Sequence, residues 1–83
     1  MFEIRWDSKA VEQLEKLEIF VRKRIIKKIR YLAENFSNAD VKKLVNSDFY
    51  RMRIGDYRVI FDVDNFLKIL KVVRVGHRKN IYK

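Results

Sequence analysis

Residues Tyr50 to Phe61 read YRMRIGDYRVIF, two apolar–polar alternating runs separated by Gly55-Asp56. A Gly-X pair between such runs is a two-residue hairpin loop of the type II′ kind, because glycine reaches the positive φ that the first loop position requires. A loop this short fixes register. Ile54 must oppose Tyr57, Arg53 must oppose Arg58, Met52 must oppose Val59, and Arg51 must oppose Ile60. Side chains alternate across a strand, so Tyr50, Met52 and Ile54 share a face with Tyr57, Val59, Phe61 and Val63. That is the core side. The other face carries Arg51, Arg53 and Arg58.

The material to cover the apolar face lies upstream. Phe2 to Trp6 alternates and predicts a short strand with Phe2, Ile4 and Trp6 on one face. DSKAVEQLEKL then opens a helix, with Asp7 or Ser8 placed to accept hydrogen bonds from its first-turn N–H groups and Ala10, Val11, Leu14 and Leu17 as its apolar stripe. A second helix is expected over Ile19 to Phe36, with Val21, Ile25, Ile29, Leu32 and Phe36 on one face and Ile26 and Ala33 widening it. Arg22, Lys23, Lys27, Lys28 and Arg30 surround the rest, either as a surface for RNA or membrane or as a solvated face beside a core face. Almost no loop separates the helices near Leu17–Ile19, so they form a tight antiparallel hairpin.

Ser37 to Asp48 is turn-rich, with some local order in VKKLV. Strand-like runs follow over Phe49–Ile54, Tyr57–Val63 and Phe66–Val75, the last pair joined by a turn at Asp64-Asn65. If that turn also has two residues, Lys71 falls opposite Arg58 and joins the arginine face, while Arg74 and Arg78 go to the other side. Gly76 is a position where a bulge could reset the alternation before Arg78. The expected fold is α+β: a single domain over residues 1–83, ordered β-α-α-β-β-β, with a helical hairpin packed on one face of a small, mainly antiparallel sheet.

Charge says what the uncovered face is for. The chain has 83 residues and a formal charge of +9 at pH 7. Residues 1–41 hold nine basic and seven acidic side chains, a net of +2; residues 42–83 hold eleven and four, a net of +7. After Asp64 there is no acidic residue, yet Lys68, Lys71, Arg74, Arg78, Lys79 and Lys83 follow. A basic surface of this kind is either a thermophile-like surface rich in Lys, Ile and Glu or the footprint of a polyanion partner, and the C-terminal skew favours the partner. Opposing Arg53 to Arg58 destabilises a strand pair by a few tenths to about 1 kcal/mol. Conflicts of that sort are tolerated mostly at functional sites. Clustered guanidiniums are suited to gripping phosphate oxygens. There is no cysteine, and one histidine with scattered acids does not make a metal-ligand set. The N-terminus lacks a signal-peptide pattern and no apolar run approaches membrane-span length, so a cytoplasmic protein with no membrane partner is expected.

YRMRIGDYRVIF followed by VVRVGHRKNIYK, behind a β-α-α start containing LEKL, resembles the RelE toxins of the RelE/ParE superfamily over nearly the whole chain. The paired motifs YR-x-R-x-G-D-YR and VGHR-x-x-x-Y carry the likeness. The resemblance implies a toxin neutralised by a cognate antitoxin, one that enters the ribosomal A site and cuts mRNA there without metal or cofactor. In that reaction the 2′-hydroxyl attacks the adjacent phosphate, leaving a cyclic phosphate and a 5′-hydroxyl. It implies that Arg51 and Arg53 take the place of a basic pair on the second strand, Arg58 the arginine of the YR pair, Arg78 that of the GHR segment, and Tyr82 the near-terminal tyrosine.

The chemistry agrees in outline. Cleavage needs a base for the 2′-hydroxyl, cations for the phosphorane and an acid for the leaving oxygen. Arg53 and Arg58 suit the phosphorane, Arg78 the leaving group, and Tyr82 a base or phosphate. Lys71, Arg74 and Lys79 are candidate RNA or phosphate contacts, and Phe49, on the arginine face by parity, is a candidate for stacking on a base. Some relatives have lysines where this chain has Arg51 and Arg53, and arginine is a poor general base. His77 is a candidate base or acid if it points into the site, and otherwise a structural residue. The same superfamily also contains ParE-like poisons of DNA gyrase, which need no catalytic cluster, and a non-enzymatic nucleic-acid- or antitoxin-binding module is a third reading.

Overall fold

The computed structural model describes residues 1–36 and 40–81. The elements run β1 (Glu3–Trp6), α1 (Ser8–Glu15), α2 (Ile19–Glu34), β2 (Val41–Lys43), β3 (Tyr50–Ile54), β4 (Tyr57–Asp64) and β5 (Ile69–His77). They build a five-stranded sheet in the order β1-β5-β4-β3-β2. Neighbouring strands are antiparallel except β1 and β5, which run parallel. The expected β-α-α-β-β-β order is present with one addition, the edge strand β2. It forms from the VKK of the segment expected to be turn-rich, with Val41 opposite Met52 and Lys42 opposite Arg51.

The two helices cover one face. Ala10 and Leu14 of α1 and Ile25, Ile29 and Leu32 of α2 bury against Met52, Ile54, Val59, Phe61, Leu70, Val72 and Val75 of the sheet. Burying each large aliphatic or aromatic side chain contributes roughly 1.5–3 kcal/mol. Phe36 lies just past α2 rather than inside it, yet joins the same core through its ring, 5.4 Å from Phe2 and 6.4 Å from Phe61. Three residues, Lys16 to Glu18, connect the helices, and Glu18 caps α2 by accepting from the Phe20 N–H at 3.1 Å. Asp7, expected to cap α1, occupies the cap position but makes no side-chain cap hydrogen bond. Its backbone instead continues β1, donating to the Val72 carbonyl at 2.9 Å.

The β3–β4 hairpin has the register that the two-residue loop requires, Arg53 opposite Arg58 and Arg51 opposite Ile60. Gly55 has φ +58° and Asp56 keeps a negative φ, the pattern of a II′ loop. The β4–β5 connection differs from expectation. Asp64 pairs with Ile69, so the loop is Asn65–Lys68, four residues rather than two. The Asp64 carboxylate accepts from the N–H groups of Phe66 and Leu67, both at 2.9 Å, and Lys68 closes the loop at φ 57°. The longer, later loop moves the register by four residues, and Lys71 therefore opposes Asp62, not Arg58.

A bulge then resets the ladder, but not at Gly76. The shift lies between Ile60 and Phe61, which pair with Arg74 and Val72, leaving Val73 as the extra residue. Gly76 pairs regularly with Arg58. Because one residue is extra, Lys71 and Arg74, three apart in sequence, both fall on the uncovered face. The expectation that Arg74 and Lys71 take opposite faces is overturned by that single residue. Where β1 ends at Trp6, the exposed edge of β5 is completed by α1: the Gln13 side-chain oxygen accepts from the Val75 N–H at 2.8 Å.

Candidate nucleic-acid interface

The face of the sheet away from the helices is built from rows of cross-strand neighbours, each about 7 Å from the next along the strands. The middle row is Lys42, Arg51, Ile60 and Arg74. One row toward the β3–β4 loop stand Arg53, Arg58 and Gly76. One row the other way, Asp62, Lys71 and Arg5 follow one another across β4, β5 and β1. Arg78, just past β5, donates its backbone N–H to the Asp56 carbonyl at 2.8 Å, extending the ladder so that its side chain stays on the face of Arg74 and Gly76.

The arginine end is held in place by turn carbonyls and by exposed carboxylates. Arg58 Nη1 donates to the carbonyls of Gly55 at 2.7 Å and Tyr57 at 2.9 Å, anchoring its guanidinium at the turn. Arg78 lies 3.7 Å from the Asp56 carboxylate, and Arg53 lies 4.0 Å from that of Asp40. Both pairs are solvent-exposed and contribute less than about 1 kcal/mol each, so they orient more than they stabilise. The Arg51 Nε is buried and makes no hydrogen bond among the described residues. An unpartnered buried donor is costly.

Arg24 was not among the sequence candidates, yet it reaches the site's edge. A Cβ built at Gly55 would meet Arg24 Nη1 at 3.1 Å, so α2 brings a further guanidinium over the hairpin turn. No local signal distinguishes Arg24 from the other cations of α2. At the far side of the same end, a Cβ at Gly76 would approach Ile81 Cδ1 to 3.3 Å. Glycine there lets the turn that follows β5, with Asn80 and Ile81 N–H both donating to the His77 carbonyl, fold back beside Arg58. Tyr82 lies outside the described residues.

The pairing brings Arg51, Arg53, Arg58, Arg74 and Arg78 together on one face, with Lys71 and Phe49 at its other end. It does not bring His77 there. His77 pairs with Tyr57, whose side chain packs on the core, and the two rings meet edge-on with centroids 5.6 Å apart. Its Nδ1 accepts from the Lys79 N–H at 3.1 Å, and the exposed Lys79 lies in that turn rather than on the sheet. Among the described residues no cluster of three or more His, Cys, Asp or Glu side chains could hold a metal ion, and no helix is long and apolar enough to cross a membrane.

The fold has counterparts among known proteins. Residues 4–82 match the family model described as ParE toxin of type II toxin–antitoxin system, parDE. The toxin of a RelB–RelE antitoxin–toxin complex from Methanococcus jannaschii is similar at 30% identity, covering 94% of both chains with a TM-score of 0.76. A RelE–RelB complex from Pyrococcus horikoshii matches at 27% identity over 95% of this chain and 97% of that one, TM-score 0.78. The RelBE2 toxin–antitoxin complex from Mycobacterium tuberculosis shares the fold with a TM-score of 0.84 at 21% identity, over 93% of this chain and 98% of that one. No curated protein sequence matches the chain.

Proposed function

The chain belongs to the ParE toxin family of type II toxin–antitoxin systems, and from that premise we propose that it is a ribosome-dependent endoribonuclease that cuts mRNA in the A site. The observation that carries this reading is the convergence of Arg51, Arg53, Arg58, Arg74 and Arg78 on one uncovered face. A gyrase poison has no need of such a constellation.

In the proposed reaction the 2′-oxygen forms a bond to the adjacent phosphorus, the bond to the 5′-oxygen breaks, and a cyclic phosphate remains. The proton leaves the 2′-hydroxyl and one is delivered to the 5′-oxygen. Negative charge accumulates on the phosphorane, and fixed cations aimed at it are worth more than mobile solvent, because they need no reorganisation as the charge develops. Arg58, held by two turn carbonyls, and Arg53 opposite it form the clamp on the phosphorane. Arg78 lies at the same end and serves the leaving oxygen. Arg51 and Arg74 hold flanking phosphates one row away. His77, on the core side, takes no part; the catalysis this face supports is electrostatic rather than reliant on an imidazole base.

The partner expected to silence the protein is an acidic, partly apolar antitoxin that wraps the helical hairpin and covers or distorts the basic face, as the charge of +9 invites. The RelE-like chains in the M. jannaschii and P. horikoshii structures are each in complex with RelB, which supports that expectation. Complex formation that left activity unchanged would count against it.

The test is in vitro translation followed by primer extension on the mRNA. Cuts at the A site that disappear in Arg58→Ala support the reading. A second reading is favoured by the family description itself, that of a ParE-like gyrase poison. Intact mRNA alongside trapped gyrase cleavage complexes would establish that one and overturn the first.

A further inference from the structure

Next to the arginine end, the same face opens into a cleft of about 510 Å³, within the size range of sites for small organic groups. Its floor is apolar: Ile60, only 7% exposed although it points away from the core, with Val73 and Leu44 beside it and Phe49 at the rim. Its walls are charged. Lys71 and Arg74 lie on one side, and the carboxylates of Asp7 and Asp62 enter from the ends of β1 and β4. Val73, the bulged residue, lines it, and the bulge also puts Lys71 and Arg74 together beside it.

The two carboxylates are the unusual feature. Asp7 holds the N-cap position of α1 without capping it. Asp62 lies directly across from Lys71 yet forms no ion pair or hydrogen bond among the described residues. On a face otherwise dominated by cations, where a polyanion would be repelled by stray acids, two half-buried carboxylates without partners among the described residues are acceptors awaiting a donor. A phosphate cannot be that donor. An exocyclic amino group can, and the apolar floor with an aromatic rim suits the ring that carries it.

We propose that this cleft is a nucleobase subsite: Phe49 stacks on a base of single-stranded RNA whose phosphates lie on Arg51 and Arg74, and Asp62, helped by Asp7, selects bases that carry an exocyclic amino group over uracil. The inference rests on the reading of the arginine face as an RNA site. The middle row joins the two: Arg51 and Arg74 flank Ile60, so a phosphate held there leaves its base over the floor of the cleft. Cytosine, whose N4 amino group replaces the O4 acceptor of uracil, is the sharpest probe, because the two pyrimidines stack with similar area and differ at the edge the carboxylate reads.

Fluorescence anisotropy with end-labelled oligocytidine and oligouridine at low salt measures the selection without requiring cleavage. The wild-type chain is expected to bind the cytidine oligomer about tenfold more tightly, the ratio a single good base-edge contact gives. Asp62→Asn, whose amide also offers a donor to O4, should bring the ratio close to one. Phe49→Ala should weaken both oligomers by a similar factor, with the ratio kept. Equal binding of the two by the wild-type chain, or a cytidine preference that survives in Asp62→Asn, overturns the subsite. The ribosomal cleavage assay separates the two claims. Intact mRNA together with an Asp62-dependent cytidine preference would sink the nuclease and keep the subsite; A-site cuts with no such preference would do the reverse.

Discussion

At the scale of single residues, Gly55 shapes the arginine end and His77 stands apart from it. Gly55 has φ +58°, where any Cβ is strained, and its neighbour Arg24 would also have to shift. Gly55→Ala should cost about 1 kcal/mol. In a domain of this size that lowers the melting temperature by about 4–8 °C, which a calorimetric scan reads directly. His77 supplies the opposite contrast. It sits on the Tyr57 side of β5, so His77→Asn should leave A-site cleavage within about threefold of wild type, whereas Arg58→Ala should reduce it by a factor of 100 or more, on the order of one preorganised charge contact in such a site. Loss of cleavage in His77→Asn with an unchanged melting temperature would show that the imidazole reaches the reacting groups after all.

At the scale of elements, β5 joins Lys71 and Arg74 to the arginines of β3 and β4, and α1 supports its edge. Gln13 of α1 accepts from the Val75 N–H beyond the end of β1. Removing that acceptor leaves a part-buried donor without a partner, so Gln13→Ala should destabilise by about 1–3 kcal/mol, measured by urea denaturation at constant m-value. The bulge makes a sharper prediction. With Val73 deleted, Val72 and Arg74 become adjacent and alternate regularly, so both keep their faces. That deletion should preserve the Phe61–Val72 and Ile60–Arg74 pairings seen by amide exchange while flattening the strand and removing one wall of the cleft. Oligonucleotide affinity should fall although the fold persists. Altered pairing on both sides of the deletion would show that the extra residue is needed for register itself.

These elements also show why some of the fold was legible and some was not. The β3–β4 register followed from two residues, because Gly55-Asp56 is a loop with one geometry and period-2 alternation does the rest. The β5 register could not follow in the same way. Asp64-Asn65 looks like a turn, but the Asp64 carboxylate organises four residues instead, a capping choice that propensity does not forecast. The bulge at Val73 left no local mark, since Val-Val-Arg is ordinary strand sequence. Strand β2 is three residues long and pairs only because β3 presents an edge to it.

At the scale of the whole molecule, the helices cover one side of the sheet and five arginines line the other. If polyanions bind the open face by counterion release, each guanidinium that touches a phosphate contributes about 0.7 to the slope of log affinity against log salt for a single strand. Arg51→Gln and Arg74→Gln should each lower the magnitude of the slope for oligocytidine by about that amount. Lys27→Gln and Lys28→Gln on α2, exposed on the helical side, should change it far less. Equal losses from both sets would mean that the partner is gripped by overall charge rather than by a face.

The sequence alone determined the kind of layers, the pairing of β3 with β4, the apolar faces of both helices and the cluster of Arg51, Arg53 and Arg58, because each follows from a short-range rule: periodicity, turn chemistry or alternation. Only the tertiary structure decided that Arg74 and Lys71 join that face, that His77 does not, that Arg24 approaches the turn, and that Asp7 and Asp62 close a cleft beside it. Those placements depend on which distant strand a residue pairs with and on one extra residue in β5, and long-range pairing leaves no periodic trace in the chain that makes it.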